Sequence, residues 1–95
     1  MDVTPCFVYV LGSWSDCAKG GRPRTYTGWT HDIQARLDKH NTGRGAKATR
    51  GRQWELLHSE SFKTRGAAMS REAALKKQLR TQPEFRAELL ARRTE

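Results

Sequence analysis

One stretch, TYTGWTHDIQARLDKHNTG from Thr25 to Gly43, constrains the architecture of this chain more than any other. Thr, Tyr and Trp favour a pleated backbone at its start, Gly28 breaks the run, and from Ile33 apolar residues recur at helical spacing. Any fold must therefore accommodate a strand that gives way within a few residues to a helix. Asp32 stands where its carboxylate can accept from one of the first free N–H groups, and Gly43 suits the left-handed position beyond the end. The spacing predicts a helix from Ile33 to Asn41. That helix places Arg36 and His40 beside Ile33 and Leu37, on the face normally kept apolar. An arginine and a histidine one turn apart on such a stripe, just after a tyrosine, demand a reason.

The remaining chain reads as a small α+β set of elements. Phe7 to Leu11, FVYVL, lies between Pro5 and Gly12 and reads as a buried strand. GSWSDCAKGGRPR then forms an exposed, basic loop leading to the second strand at Thr25. Residues 43 to 52, GRGAKATRGR, hold three Gly and four basic residues without an acid, a composition that forbids a core and suggests a loop facing phosphates. Trp54 to Phe62 alternates roughly and fits a third strand with one buried face. Thr64 can cap a second helix in which Ala68, Glu72, Leu75 and Leu79 share a stripe. Thr81, Gln82, Pro83 and Glu84 have the form of a capping box ahead of a last helix over about 82–93 that carries Phe85 and Leu89.

Size and charge narrow the function classes. Ninety-five residues allow one domain, spanning 1–95, with a small core; such a chain buries about 60–65% of its unfolded surface. A net charge of +8 points to a polyanionic partner. No apolar run approaches the roughly 20 residues of a membrane-spanning helix, and Asp2 stands where a signal peptide would be basic, so a cytoplasmic protein without membrane association is expected. Cys6 and Cys17 form no CxxC and no Cys/His quartet, which argues against structural zinc; their spacing leaves a disulfide open, but reduced, inert thiols are expected.

Chemistry gathers on the two helices. Six basic residues and the single acid Glu72 lie between Ser61 and Pro83. A carboxylate on an apolar stripe needs a compensating partner, and two readings stand: an ion pair with Arg36, or ligation of a hard divalent ion such as Mg²⁺ that keeps water and substrate phosphate in its other positions. Arg36 could equally extend to the helix edge, and His40 could merely favour the negative end of a helix. With Tyr9 and Tyr26 on neighbouring strands, however, the set supplies a base, a phosphate clamp and a metal ligand, the needs of phosphodiester hydrolysis.

Tyr9 within FVYVL, Tyr26-Thr27-Gly28, Thr30-His31-Asp32-Ile33 with Arg36-Leu37 and His40-Asn41, Gly45-Ala46-Lys47 with Thr49-Arg50, and Glu72 together resemble the GIY-YIG endonuclease superfamily over about residues 6–80. The likeness is greatest to small stand-alone bacterial domains related to the N-terminal nuclease module of the repair excinuclease. It implies a three-stranded antiparallel sheet flanked by helices and single-metal cleavage of DNA with Mg²⁺ or Mn²⁺, in repair or recombination. Carried over, Tyr9 and Tyr26 are the motif tyrosines, Arg36 binds phosphate, Glu72 binds the metal, and His40 matches a histidine found in the site of many members. Arg44, Lys47, Thr49, Arg50 and Arg52 are the expected nucleic-acid contacts. Local surroundings favour Tyr26 over Tyr9 as the base, because an apolar strand stabilises a phenolate poorly. The first motif lacks its glycine, reading Phe7-Val8-Tyr9, and seventeen residues of separation between the tyrosines imply an enlarged loop over Ser15 to Arg24. No asparagine follows Glu72. A nucleic-acid-binding module without catalysis is the alternative, RNA remains open beside DNA, and the oligomeric state is not readable.

Overall fold

The structure is a computed structural model that describes residues 4–93. In chain order it comprises β1 (Cys6–Ser13), β2 (Arg24–Thr30), α1 (Ile33–Asn41), β3 (Glu55–Phe62), α2 (Arg65–Thr81) and α3 (Pro83–Leu90). The strands form one antiparallel sheet in the order β2-β1-β3, so the α+β expectation holds. β1 is central and correspondingly buried, because both its edges are paired.

Alternation along β1 divides the molecule into two cores. Cys6, Val8 and Val10 face α2 and α3, where Ala68, Leu75, Leu79 and Leu89 close over them. Tyr9 and Leu11 face the opposite way, with Trp54, Tyr26 and Leu37 of α1. The sheet is thus covered on both faces. Truncating the wholly buried Leu75 to Ala would cost about 2–5 kcal/mol.

Local chemistry explains where the helices begin. Asp32 caps α1 as expected, its Oδ1 accepting from the Ala35 N–H at 3.0 Å, and Thr64 Oγ1 accepts from the Ala67 N–H at 3.1 Å at the start of α2. Such caps contribute about 1 kcal/mol each. Gly43 takes the left-handed conformation anticipated for it.

Three expectations are corrected. β2 does not break at Gly28 but runs straight through it. Thr81 does not cap α3: it is the last residue of α2, with its hydroxyl donating to the Lys77 carbonyl, and Gln82 occupies the cap without a side-chain bond. The last helix ends at Leu90, short of residue 93. The irregular alternation of β3 also has a definite cause. A register shift opposite Val10 and Leu11 makes Leu57 an extra residue and delivers it to the Val8–Val10 core, where strict alternation from His58 and Glu60 would turn it away.

Both cysteines are free, Cys6 buried and Cys17 exposed. No helix among the described residues is long and apolar enough to cross a membrane.

Candidate active site

The site is built on strand register. Tyr9 of β1 lies directly opposite Gly28 of β2, and its ring extends over that glycine. A β-carbon at position 28 would stand 2.5 Å from the Tyr9 hydroxyl oxygen. Gly28 is therefore required for space and not as a strand breaker. Tyr26 lies on the same face of β2, its ring centroid 6.4 Å from that of Tyr9.

α1 completes the cluster from above. His40, only 1% exposed, stacks at a tilt 4.9 Å from Tyr26 and accepts or donates a hydrogen bond at 3.1 Å between its Nε2 and the Tyr9 hydroxyl. Its end of α1 is fixed by Asn41, which pairs with the backbone of Trp54 like another strand: Asn41 Nδ2 donates to the Trp54 carbonyl and the Trp54 N–H donates to Asn41 Oδ1. Burial, then the Arg36 charge, holds the His40 pKa below its ordinary value, so the ring is neutral at pH 7. Burial, followed by the neighbouring Tyr26, pushes the Tyr9 phenol upward; Arg36 opposes the shift and Glu72 adds to it.

Arg36 and Glu72 therefore bear on the same phenol with opposite sign, although they belong to helices on opposite faces of the sheet. They do not form the ion pair considered from sequence. Glu72 is half-buried and its salt bridge is to Lys76 at 3.5 Å, one turn along α2. Among the described residues Arg36 makes no salt bridge. A half-buried guanidinium without a carboxylate partner is available to an anionic ligand. Among the described residues no three His, Cys, Asp or Glu side chains cluster as a metal cage. Glu72, with one exposed lysine as its ionic partner among the described residues, fits an ion that draws most of its shell from water and phosphate oxygen.

The loop over residues 43–52 differs from its expected character. It does contribute to a core: Thr49 is fully buried, and its carbonyl accepts from the Trp54 indole N–H at 2.9 Å. Thr49 is thus withdrawn from the surface and cannot contact nucleic acid directly in this arrangement. Gly45 packs against the His40 ring so closely that a β-carbon there would collide with Nδ1. Arg44, Lys47 and Arg50 are exposed. Arg52 is tied to Asp16, which also accepts from Arg24, so the enlarged Ser15–Arg24 loop is stapled to the second loop.

Sequence alone shows the basic run of α2 without giving it a place. Lys76 and Arg80 of α2, with Arg86 of α3, line an open groove beside Thr25, Tyr26 and Thr27. The signal is the excess of bases between Ser61 and Pro83; the missing step is which strand edge they flank.

Comparison with known proteins bears on the arrangement. The GIY-YIG catalytic domain matches residues 6–85. The UPF0213 protein of Streptococcus agalactiae serotype V is 44% identical over 77 residues, 80% of either chain. The UPF0213 protein of Halobacterium salinarum is 45% identical over 78 residues, covering 81% of this chain and 92% of its own. The Streptococcus sanguinis UPF0213 protein is 47% identical over 75 residues, 78% of either chain. No solved structure gives a significant match.

Proposed function

This chain belongs to the GIY-YIG catalytic-domain family, a family of nucleases, and from that premise we propose that it hydrolyses DNA phosphodiester bonds with the help of one divalent ion. The observation that carries the reading is the convergence of Tyr9, Tyr26 and His40 within range of the charge of Arg36, which has no carboxylate partner among the described residues.

In this reading Arg36 binds the non-bridging oxygens of the scissile phosphate. Its planar fork meets two of them at once, and its permanent charge offsets the negative charge that grows in the transition state. Tyr26 is the base: it is only half-buried and lines the groove, so water can reach it. Tyr9 orients the attacking water, because its raised pKa disfavours the phenolate that proton abstraction would leave. His40 holds the Tyr9 hydroxyl in place. Glu72 would hold Mg²⁺ or Mn²⁺, which when bound polarises the phosphate and lowers the pKa of its water. Flanking phosphates meet Arg44, Lys47 and Arg50 on one loop, with Lys76 and Arg80 along the groove beside Tyr26. Work on DNA within the cytoplasm, in repair or recombination, is the setting this chemistry suits.

Incubation with supercoiled, single-stranded and branched DNA in Mg²⁺ or Mn²⁺ tests the reading. Nicking or cutting that stops on chelation is expected. Tight binding without cleavage of any substrate under either ion would replace the enzyme by a nucleic-acid-binding module.

A further inference from the structure

We propose that Thr49 is a positioning residue of this site: it fixes His40 in the Nδ1–H tautomer and thereby sets the direction of the Tyr9 hydroxyl hydrogen. Counting hydrogens leads to this assignment. The Thr49 hydroxyl has one hydrogen and two neighbours, the Ala46 carbonyl oxygen at 2.8 Å and His40 Nδ1 at 2.8 Å. A carbonyl can only accept, so the hydrogen belongs to Ala46. Toward Nδ1 the hydroxyl is then an acceptor, and Nδ1 must carry the ring hydrogen. A neutral imidazole has one N–H, which leaves Nε2 with a lone pair. The Tyr9 hydroxyl, 3.1 Å from Nε2, therefore donates into it.

The opposite assignment breaks the chain at its first link. With the Thr49 hydrogen on Nδ1, the Thr49 and Ala46 oxygens would face one another at 2.8 Å with no hydrogen between them. Burial excludes water as a rescuer, since Thr49 is 0% and His40 1% exposed. Further contacts hold Thr49 in place: the Trp54 indole donates to its carbonyl, and its own N–H bonds Ala46.

The consequence falls on Tyr9. With its hydrogen committed to His40, the phenol oxygen has only lone pairs left to offer. It can accept a hydrogen from a water but cannot donate one, so a water held there keeps its own lone pair for phosphorus. This use of the tautomer rests on the nuclease reading; the tautomer itself does not.

The deciding experiment is ¹⁵N NMR of the imidazole nitrogens at mildly alkaline pH, with cleavage kinetics alongside, for the wild type, Thr49→Ser and Thr49→Val. The wild type and Thr49→Ser should show a protonated Nδ1 and an unprotonated Nε2 on His40. Thr49→Val, nearly isosteric but unable to accept, should move the ring toward the Nε2–H form that free histidine prefers. Cleavage should fall on the order of 10-fold in Thr49→Val, by analogy with the low end of what losing the partner of a metal-ligating histidine costs, and recover in Thr49→Ser. A wild-type His40 protonated on Nε2, or an unchanged tautomer in Thr49→Val, overturns the proposal. If Thr49→Val does not fold, the wild-type and Thr49→Ser tautomers decide. The expected tautomers in a protein that cleaves no DNA would leave the proposal standing and remove the nuclease reading instead.

Discussion

Tyr9 and Tyr26 are neighbours with centroids 6.4 Å apart, yet their surroundings differ. Tyr9 is 3% exposed and bonded to His40, whereas Tyr26 opens onto the groove lined by Lys76 and Arg80. Tyr26→Phe should therefore lose on the order of 10² to 10⁴ in single-turnover rate, the usual contribution of a general base, and lose the ionisation it imposes on the pH profile. Tyr9→Phe should lose less and keep the shape of the profile. Equal rates and profiles for both variants and the wild type would remove either tyrosine as the base. His40 makes a separate prediction about stability. Its lowered pKa means that the folded ring binds fewer protons than the unfolded one, so its contribution is complete above the ordinary value of 6.5 and is lost as pH falls below it. Asp16 and Glu60, whose pKa values are lowered by their arginine partners, lose their contributions only at lower pH, below ordinary values of 3.8 and 4.5. Denaturant unfolding from pH 7 down to about 5 should show falling stability in the wild type and a flatter dependence in His40→Gln. Parallel slopes would mean that the ring is not held neutral.

At the scale of elements, α1 and the loop after it combine scaffold and surface. Lys47 and Arg50 project from a turn that Thr49 and Trp54 anchor inside, so they are cations on a fixed base. Replacing both with Ala should weaken duplex binding evenly across sequences and flatten its salt dependence by up to ~1.8 log units per log unit of salt. An unchanged salt slope would assign them to solvent. What could be read from sequence follows the range of the interactions. α1 was legible to the residue because its cap and periodicity lie within one unbroken stretch from Asp32 to Asn41. The candidate residues on it, Arg36 and His40, stood out because their chemistry conflicts with an apolar stripe. The role of Gly28 was not, since it depends on pairing with Tyr9 across the sheet. Thr49 was misplaced for a similar reason. Its neighbours in sequence are glycines and cations, while its partners are His40 and Trp54. A capping motif at Thr81 failed because α2 continues through it and takes its hydroxyl for the Lys77 carbonyl.

For the molecule as a whole, the sheet acts as a partition across which two helices bring opposite charges to one phenol. α1 supplies Arg36, α2 supplies Glu72, and Tyr9 on the central strand is influenced by both. The net charge of +8 surrounds this centre with attraction for a polyanion. The expected division of labour assigns Glu72 to a metal and not to the stability of the fold, since its ion pair with Lys76 is a partly exposed contact within one helix, of a kind that contributes about 0.3–0.5 kcal/mol. The most direct test is therefore DNA cleavage as a function of Mg²⁺ or Mn²⁺ concentration for the wild type and Glu72→Gln, with thermal unfolding of both measured in the same buffer. The amide is nearly isosteric but lacks the anionic charge a hard cation prefers, so cleavage should vanish while the unfolding temperature hardly moves. Cleavage by Glu72→Gln at the wild-type rate, or a variant that fails only because it unfolds, would contradict the account.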